Sequence, residues 1–199
     1  MDSTKGKADE RGKIPSFDSI VFTDIDKYLT AAQKEGKYVF IADMHGNTHQ
    51  FMNYSKQYKP YEFGSDVKKC IIQKTQSFED AQENVRKSLV FNMLRGYTWV
   101  MNVEKFVPDF PKYDSKLLPL KDMVFKREAL MAGYKKLLAA GEDKDLQNNV
   151  GMYEMHPDFN LCVMQDMSDP MMDDEIVQML LDAIPNIDEF KKVYILPEE

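Results

Sequence analysis

Apolar residues recur along this chain in two rhythms, one helical and one of short continuous runs. From Asp24 to about Glu35, Ile25, Tyr28, Leu29 and Ala32 fall at helical spacing and Gly36 stands where a C-cap belongs, so a helix is predicted to feed a first strand over 38–43. Phe51, Met52, Tyr54 and Tyr58 then make an aromatic helix face that stops near Pro60. Val67-Lys68-Lys69-Cys70-Ile71-Ile72 reads as a second strand. Ser77 is placed to cap a helix in which Phe78, Ala81, Val85 and Leu89 recur every three or four residues, with Glu79 and Asp80 at its positive end and Gly96 closing it. Tyr97 to Val103 is β-rich and aromatic and predicts a third strand, after which Pro108, Pro111 and Pro119 break the connection. A long helix is expected from Met123 to Ala140, closed by Gly141, then a polar loop over 142–151. Phe159 to Met164 predicts a fourth strand, Glu175 to Ile184 a helix, and Lys192 to Leu196 a fifth strand.

Strands separated by helices imply crossover connections, and hence an α/β fold. The expected architecture is a three-layer α/β/α sandwich with a five-stranded parallel sheet, occupying 17–199. Residues 1–16 are charged and without periodicity, and read as an extended N-terminal tail. Ligands of such sheets bind beyond the strand carboxyl ends.

Composition narrows the function. At 199 residues, with 43% hydrophobic and 12% aromatic positions, there is material for one domain with a real core. The net charge of −7 argues against nucleic acid or an anionic membrane as partner, because both need a basic face. Cys70 and Cys162 each sit in an apolar run, where packed, reduced thiols are the ordinary outcome and a cytoplasmic setting is expected. The N-terminus lacks the apolar core of a signal peptide.

Candidate chemistry centres on Lys37 to Met52, which reads as a buried strand, a tight glycine turn and the start of a helix. A phosphate-binding loop at this place ends in Lys-Ser or Lys-Thr, because backbone N–H groups and one ammonium must surround the phosphates. Here Asp43, His45, Gly46, Asn47 and Thr48 stand instead. His45 and His49 are four apart, with His156 as a possible third ligand, yet turn and helix-cap hydrogen bonding is the commoner use, and no metal is expected. Asp166, Asp169, Asp173, Asp174 and Glu175 contain no glycine among them and so make no calcium loop; capping of the next helix is expected, with a basic partner as second choice. Met164, Met167, Met171, Met172 and Met179 crowd the same segment, as core filling or as a contact patch. Met167, Asp169, Met171, Met172, Asp173 and Asp174 are therefore the candidate partner-binding residues. Trp99 is assigned to the core, and Tyr54, Tyr58 and Tyr61 to either helix packing or an exposed patch.

Three stretches resemble the AAA+ modules of dynein heavy chains, the fifth module of the ring above all. Asp43-Met44-His45-Gly46-Asn47-Thr48-His49-Gln50-Phe51-Met52 is similar to its D-P-Q-G-Q-A-x-x-W-I. Gly96 to Val103 is similar to its G-x-x-h-h-h-x-N-V, and His156 to Met164 with Asp169-Pro170 and Glu175-Ile176 tracks N-P-D-F-R-h-h-h-T through N-P-x-x-x-P-E-h. The resemblance covers about 37–196 and stops after the fifth strand, without the helical lid, stalk or linker of a motor.

That resemblance implies an AAA+/P-loop NTPase-like core in which Asp43, His45, Gly46, Asn47 and Thr48 form a degenerate P-loop and Met101 and Asn102 replace the Walker B carboxylates. Phosphoryl transfer needs a cradling loop, a lysine on the phosphates and a hydroxyl plus carboxylate on magnesium, and this set is missing. The expectation is a non-catalytic structural or docking protein without a cofactor. It would belong to a microtubule-based assembly, the ciliary axoneme, with tubulin or axonemal proteins contacted in part by the tail. Two alternatives stand beside it: a nucleotide-binding ATPase or sensor using backbone donors at 44–48, and a regulatory adaptor of a dynein or another ring ATPase.

Overall fold

The run Val39-Phe40-Ile41-Ala42 is apolar on both sides of its pleat and so must be covered on two faces; it forms β2 (Val39–Asp43), buried at every residue. The computed structural model describes residues 11–197. In it β2 lies between β5 (Asn160–Asp166) and β6 (Lys191–Leu196), in a sheet completed by β1 (Asp18–Val21), β3 (Tyr58–Tyr61) and β4 (Thr98–Glu104). The order is β1-β6-β2-β5-β4-β3, and every neighbouring pair is parallel.

Alternate residues along the strands supply two separate cores. Phe40, Ala42, Trp99, Met101, Leu161, Val163 and Tyr194 pack with α4 (Phe78–Arg95) and α6 (Asp174–Ala183). Val39, Ile41, Val100, Cys162, Met164, Val193 and Ile195 pack with α1 (Ile25–Lys34) and α2 (Thr48–Tyr54). Helices thus cover both faces, which is compatible with the expected three layers. Ser77 Oγ accepts from the Asp80 N–H at 3.0 Å and Gly96 takes φ +72°, so α4 begins and ends where its sequence signals stand.

The sheet has six strands, not the expected five. β1, mostly exposed and without a clear apolar rhythm, pairs with β6 at one edge. The expected second strand over 67–72 is also corrected. Only Val67 and Cys70 of that run are buried, three apart, while Ile71 and Ile72 are 45% and 62% exposed; that is helical burial, and the segment continues α3 (Phe63–Val67) in a wide turn ending at Lys74 with φ +53°. The strand is Tyr58–Tyr61 instead, where a helix face was expected. Pro60 fits there because β3 is the opposite edge and pairs with β4 alone, so the missing N–H leaves no neighbour unsatisfied.

The long helix expected over 123–140 is broken into a wide turn at Leu120–Val124, α5 (Arg127–Gly133) and a tight turn at Tyr134–Leu137. Arg86 of α4 fastens the end of this connection: its guanidinium donates to the Leu137 carbonyl and to both carboxylate oxygens of Glu142, and also to Glu83. Of the expected tail, residues 1–10 lie outside the described residues. Residues 11–17 lead from the carboxyl edge, where Gly12 meets Met44, down across the face of the sheet to the start of β1, and Phe17 stacks on Tyr194 at 4.4 Å and packs edge-on against Phe40.

Candidate functional site

The chain leaves β2 toward the β3 edge and leaves β5 toward β6 on the other side, so the carboxyl ends of these two adjacent strands flank a topological switch point. Both strands end in an aspartate, and Asp43 and Asp166 are partners in the register. Each carboxylate turns back onto its own loop. Asp166 Oδ1 accepts from the Ser168 N–H at 2.9 Å and from its hydroxyl at 2.6 Å.

Asp43 does more. Its Oδ1 accepts from the N–H groups of His45 at 3.1 Å and Gly46 at 3.0 Å, and its Oδ2 from that of Thr48 at 3.1 Å. Amides converging after a strand and opening a helix are a ready anion cradle, and here an internal carboxylate fills it. Gly46 permits the turn with φ +83°, and a Cβ there would come within 2.8 Å of Ser168 Cβ, so the loops after β2 and β5 are in close contact. Burial pushes the Asp43 carboxyl upward and the amide donors pull the other way. The Thr48 hydroxyl, buried beside it, has no hydrogen bond of ordinary geometry.

A second polar chain runs along the same edge. His49 Nε2 meets Glu62 Oε1, Glu62 Oε2 accepts from Asn102 Nδ2 at 2.9 Å, and Asn102 Oδ1 accepts from the Glu104 N–H at 3.0 Å. A bulge between Asn102 and Glu104 turns Glu104 to φ +55°. Burial pushes the Glu104 carboxyl up and nearby Glu62 adds to it. The edge therefore gathers Asp43, Glu62, Glu104 and Asp166, a field that opposes a polyanion.

The Met-rich acidic segment is tied to the chain's own N-terminal arm. Arg11 donates to the carbonyls of Met167 and Asp169, both at 3.1 Å. Asp174 accepts from the N–H groups of Gly12 at 2.9 Å and Lys13 at 3.0 Å and from the Tyr194 hydroxyl at 2.9 Å. Gly12 passes so close to Met44 that a Cβ would sit 3.0 Å from its sulfur, which brings the arm onto the loop after β2.

Sequence-predicted residues are thus brought together in part. Asp43, His45, Gly46, Asn47 and Thr48 form the filled turn, with the His45 ring stacked on Phe22 at 4.4 Å and its Nδ1 buried without a partner. Asn102 joins the edge network, whereas Met101 is wholly in the core. Met167 and Met172 are buried, Asp173 caps α6 by accepting from the Ile176 N–H, Asp169 pairs with Lys105 at 3.0 Å, and Met171 is 84% exposed. His156 does not approach the other histidines; it precedes β5 at the opposite edge, where its ring lies against Gly96 and accepts from the Asp158 N–H. Among the described residues no group of three or more His, Cys, Asp or Glu is placed to hold a metal ion. Glu62, Glu104 and Arg11 were not legible as site residues. Reading Tyr58–Tyr61 as a strand would have put Glu62 at the carboxyl edge. Comparison with protein-family models, with curated proteins and with solved structures found no match.

Proposed function

We propose that this protein is a non-catalytic AAA-like module, built as a three-layer sandwich, that serves as a structural or docking component of a microtubule-based assembly. The observation that carries the non-catalytic reading is the Asp43 carboxylate, which accepts the N–H groups of His45, Gly46 and Thr48 that a bound phosphate would need. A phosphate entering there must displace a carboxylate already hydrogen-bonded three times, against the charge of neighbouring Asp166. At an effective dielectric of 20, one like-charge pair at 4 Å costs about 4 kcal/mol. No lysine stands in the turn to offset this.

The assembly rests on the dynein resemblance, and the ciliary axoneme, with tubulin or axonemal proteins as partners, is the setting it implies. The anchored N-terminal arm and the exposed Met171 beside it supply a surface for such a partner. Two measurements test the two halves. Magnesium-ATP, ADP and GTP at millimolar concentration are expected to leave the melting temperature unchanged, and a clear rise overturns the non-catalytic reading. Cosedimentation with axonemal microtubules is expected at low salt; its absence, with the first result intact, removes the microtubule setting while leaving the rest.

A further inference from the structure

Residues 11–22 are held by contacts with segments far along the chain. Arg11 donates to the carbonyls of Met167, Asp169 and Met172, and Asp174 accepts from the N–H groups of Gly12 and Lys13. Phe17 stacks on Tyr194, every residue of β1 pairs with β6, and Phe22 stacks on His45 and meets Phe51 edge-on. The near contact is the Tyr28 hydroxyl, which donates to Asp18 at 2.7 Å.

We propose that this element, Arg11 to Phe22, is exchanged between two copies of the chain, each copy's arm and β1 filling the place that the other's vacates. Gly12 of one copy then lies against Met44 of the other, in the loop after β2. The seat is specific: three carbonyls take a guanidinium, one carboxylate takes two consecutive backbone N–H groups, and Tyr194 takes an aromatic ring. It fits the chain's own sequence, so the partner it fits is a second copy. The exchange is independent of the function proposed above.

The turn between this element and the body is the pivot. It spans Phe22–Asp24, and Thr23 and Asp24 are exposed. Asp24 stands at the N-cap of α1, yet its side chain makes no capping hydrogen bond, so straightening the turn loses no cap. Short connections of this kind invite exchange between copies. β1 is also free to leave, because it is an edge strand that pairs with β6 alone. It lacks the proline and lysine that guard the opposite edge at Pro60 and Lys59.

The same contacts hold the element in either form, so the turn and the protein concentration set the balance. A short tether gives the arm an effective concentration in the millimolar range, so dimer is expected when the protein is refolded at about 1 mM and not at about 10 μM.

The test uses the full chain, refolded from urea at those two concentrations and sized by light scattering. Two single variants, Val21→Cys and Leu196→Cys, identify the contact, since these positions are partners in the β1–β6 register. Mixed before refolding at the higher concentration and then oxidised, they should yield a dimer whose disulfide joins position 21 of one chain to 196 of the other, as read by peptide mass. The double variant at the lower concentration should close the same bond within one chain. Asp24→Pro drives Thr23 toward an extended conformation and should raise the dimer fraction several-fold, whereas a short Gly-Ser insertion between Thr23 and Asp24 should remove the dimer. The proposal is overturned if the parent is monomeric at both concentrations, if the mixed variants give no 21–196 bond although the double variant closes it, or if neither change to the turn alters the dimer fraction.

Discussion

The Gly46 N–H points back at Oδ1 of Asp43, three residues earlier, at 3.0 Å, and with His45 and Thr48 it makes Asp43 the acceptor on which the whole turn closes. Asp43→Ala leaves these N–H groups without their acceptor and should cost about 2–4 kcal/mol, given about 1–3 for each buried polar group left unmet. Asp43→Asn keeps one oxygen and should cost about half as much. Urea denaturation with an unchanged slope is the measurement; a loss of only a few tenths for Asp43→Ala would mean that the carboxylate does not hold the turn.

Gly46 also touches Ser168 of the neighbouring loop. Gly46→Ala is expected to be destabilising twice over, through φ +83° and through a Cβ placed 2.8 Å from Ser168 Cβ. Adding Ser168→Gly relieves the second cause only. The double mutant should therefore recover part of the loss, with a coupling of about 0.5–3 kcal/mol. Strict additivity would show that the two loops are not in contact in solution.

Asp174 anchors the arm through the N–H groups of Gly12 and Lys13. In Asp174→Ala both lose their acceptor and the Tyr194 hydroxyl loses one as well. The arm then opens locally at low free-energy cost, and trypsin should cut after Lys13 several-fold faster than in the parent while the core remains resistant. Equal cleavage rates would count against anchoring.

Arg86 makes acid stability a readable quantity. Its hydrogen bonds hold Glu83 down to about 2, from an ordinary 4.5, and hold Glu142 below its ordinary value as well. Carboxyls lowered on folding contribute stability that is fully present above the unfolded value and is lost as the pH falls through the folded one. The parent should therefore lose stability from about pH 4.5 toward about pH 2, and Arg86→Met should flatten that part of the profile. At neutral pH, Arg86→Ala should cost about 3 kcal/mol, since it strips the Leu137 carbonyl and two carboxylates of their donor and leaves a void. Unfolding in urea at several pH values separates the two effects.

The elements that could be read from the chain are those whose signal is local. Ser77 and Gly96 bracket α4 because a cap is a contact within one turn, and β2, β4 and β5 announce themselves because strands buried on both faces are apolar through their middle, with polar residues at and near their ends. The misread segment, 58–72, shows the limit. Val67 to Ile72 is as apolar as a strand, and Tyr58-Lys59-Pro60-Tyr61 looks like the end of a helix; only the free edge beside β4 lets a proline-containing segment pair. Asp43 and Gly46 were marked by position, whereas Glu62, just past β3, meets Asn102 of β4 40 residues further along, a proximity that no spacing records.

The sequence by itself determined an α/β chain of buried strands and amphipathic helices, and a strand-turn-helix without the lysine that phosphates require. Periodicity and side-chain chemistry are properties of neighbours along the chain, so they survive without a fold. Only the tertiary structure decided that a sixth strand closes the sheet, that Asp43 turns inward to occupy its own amides, and that Arg11 and Asp174 join segments more than 150 residues apart. Those outcomes depend on which groups are shielded from water together, and that is settled when the layers pack.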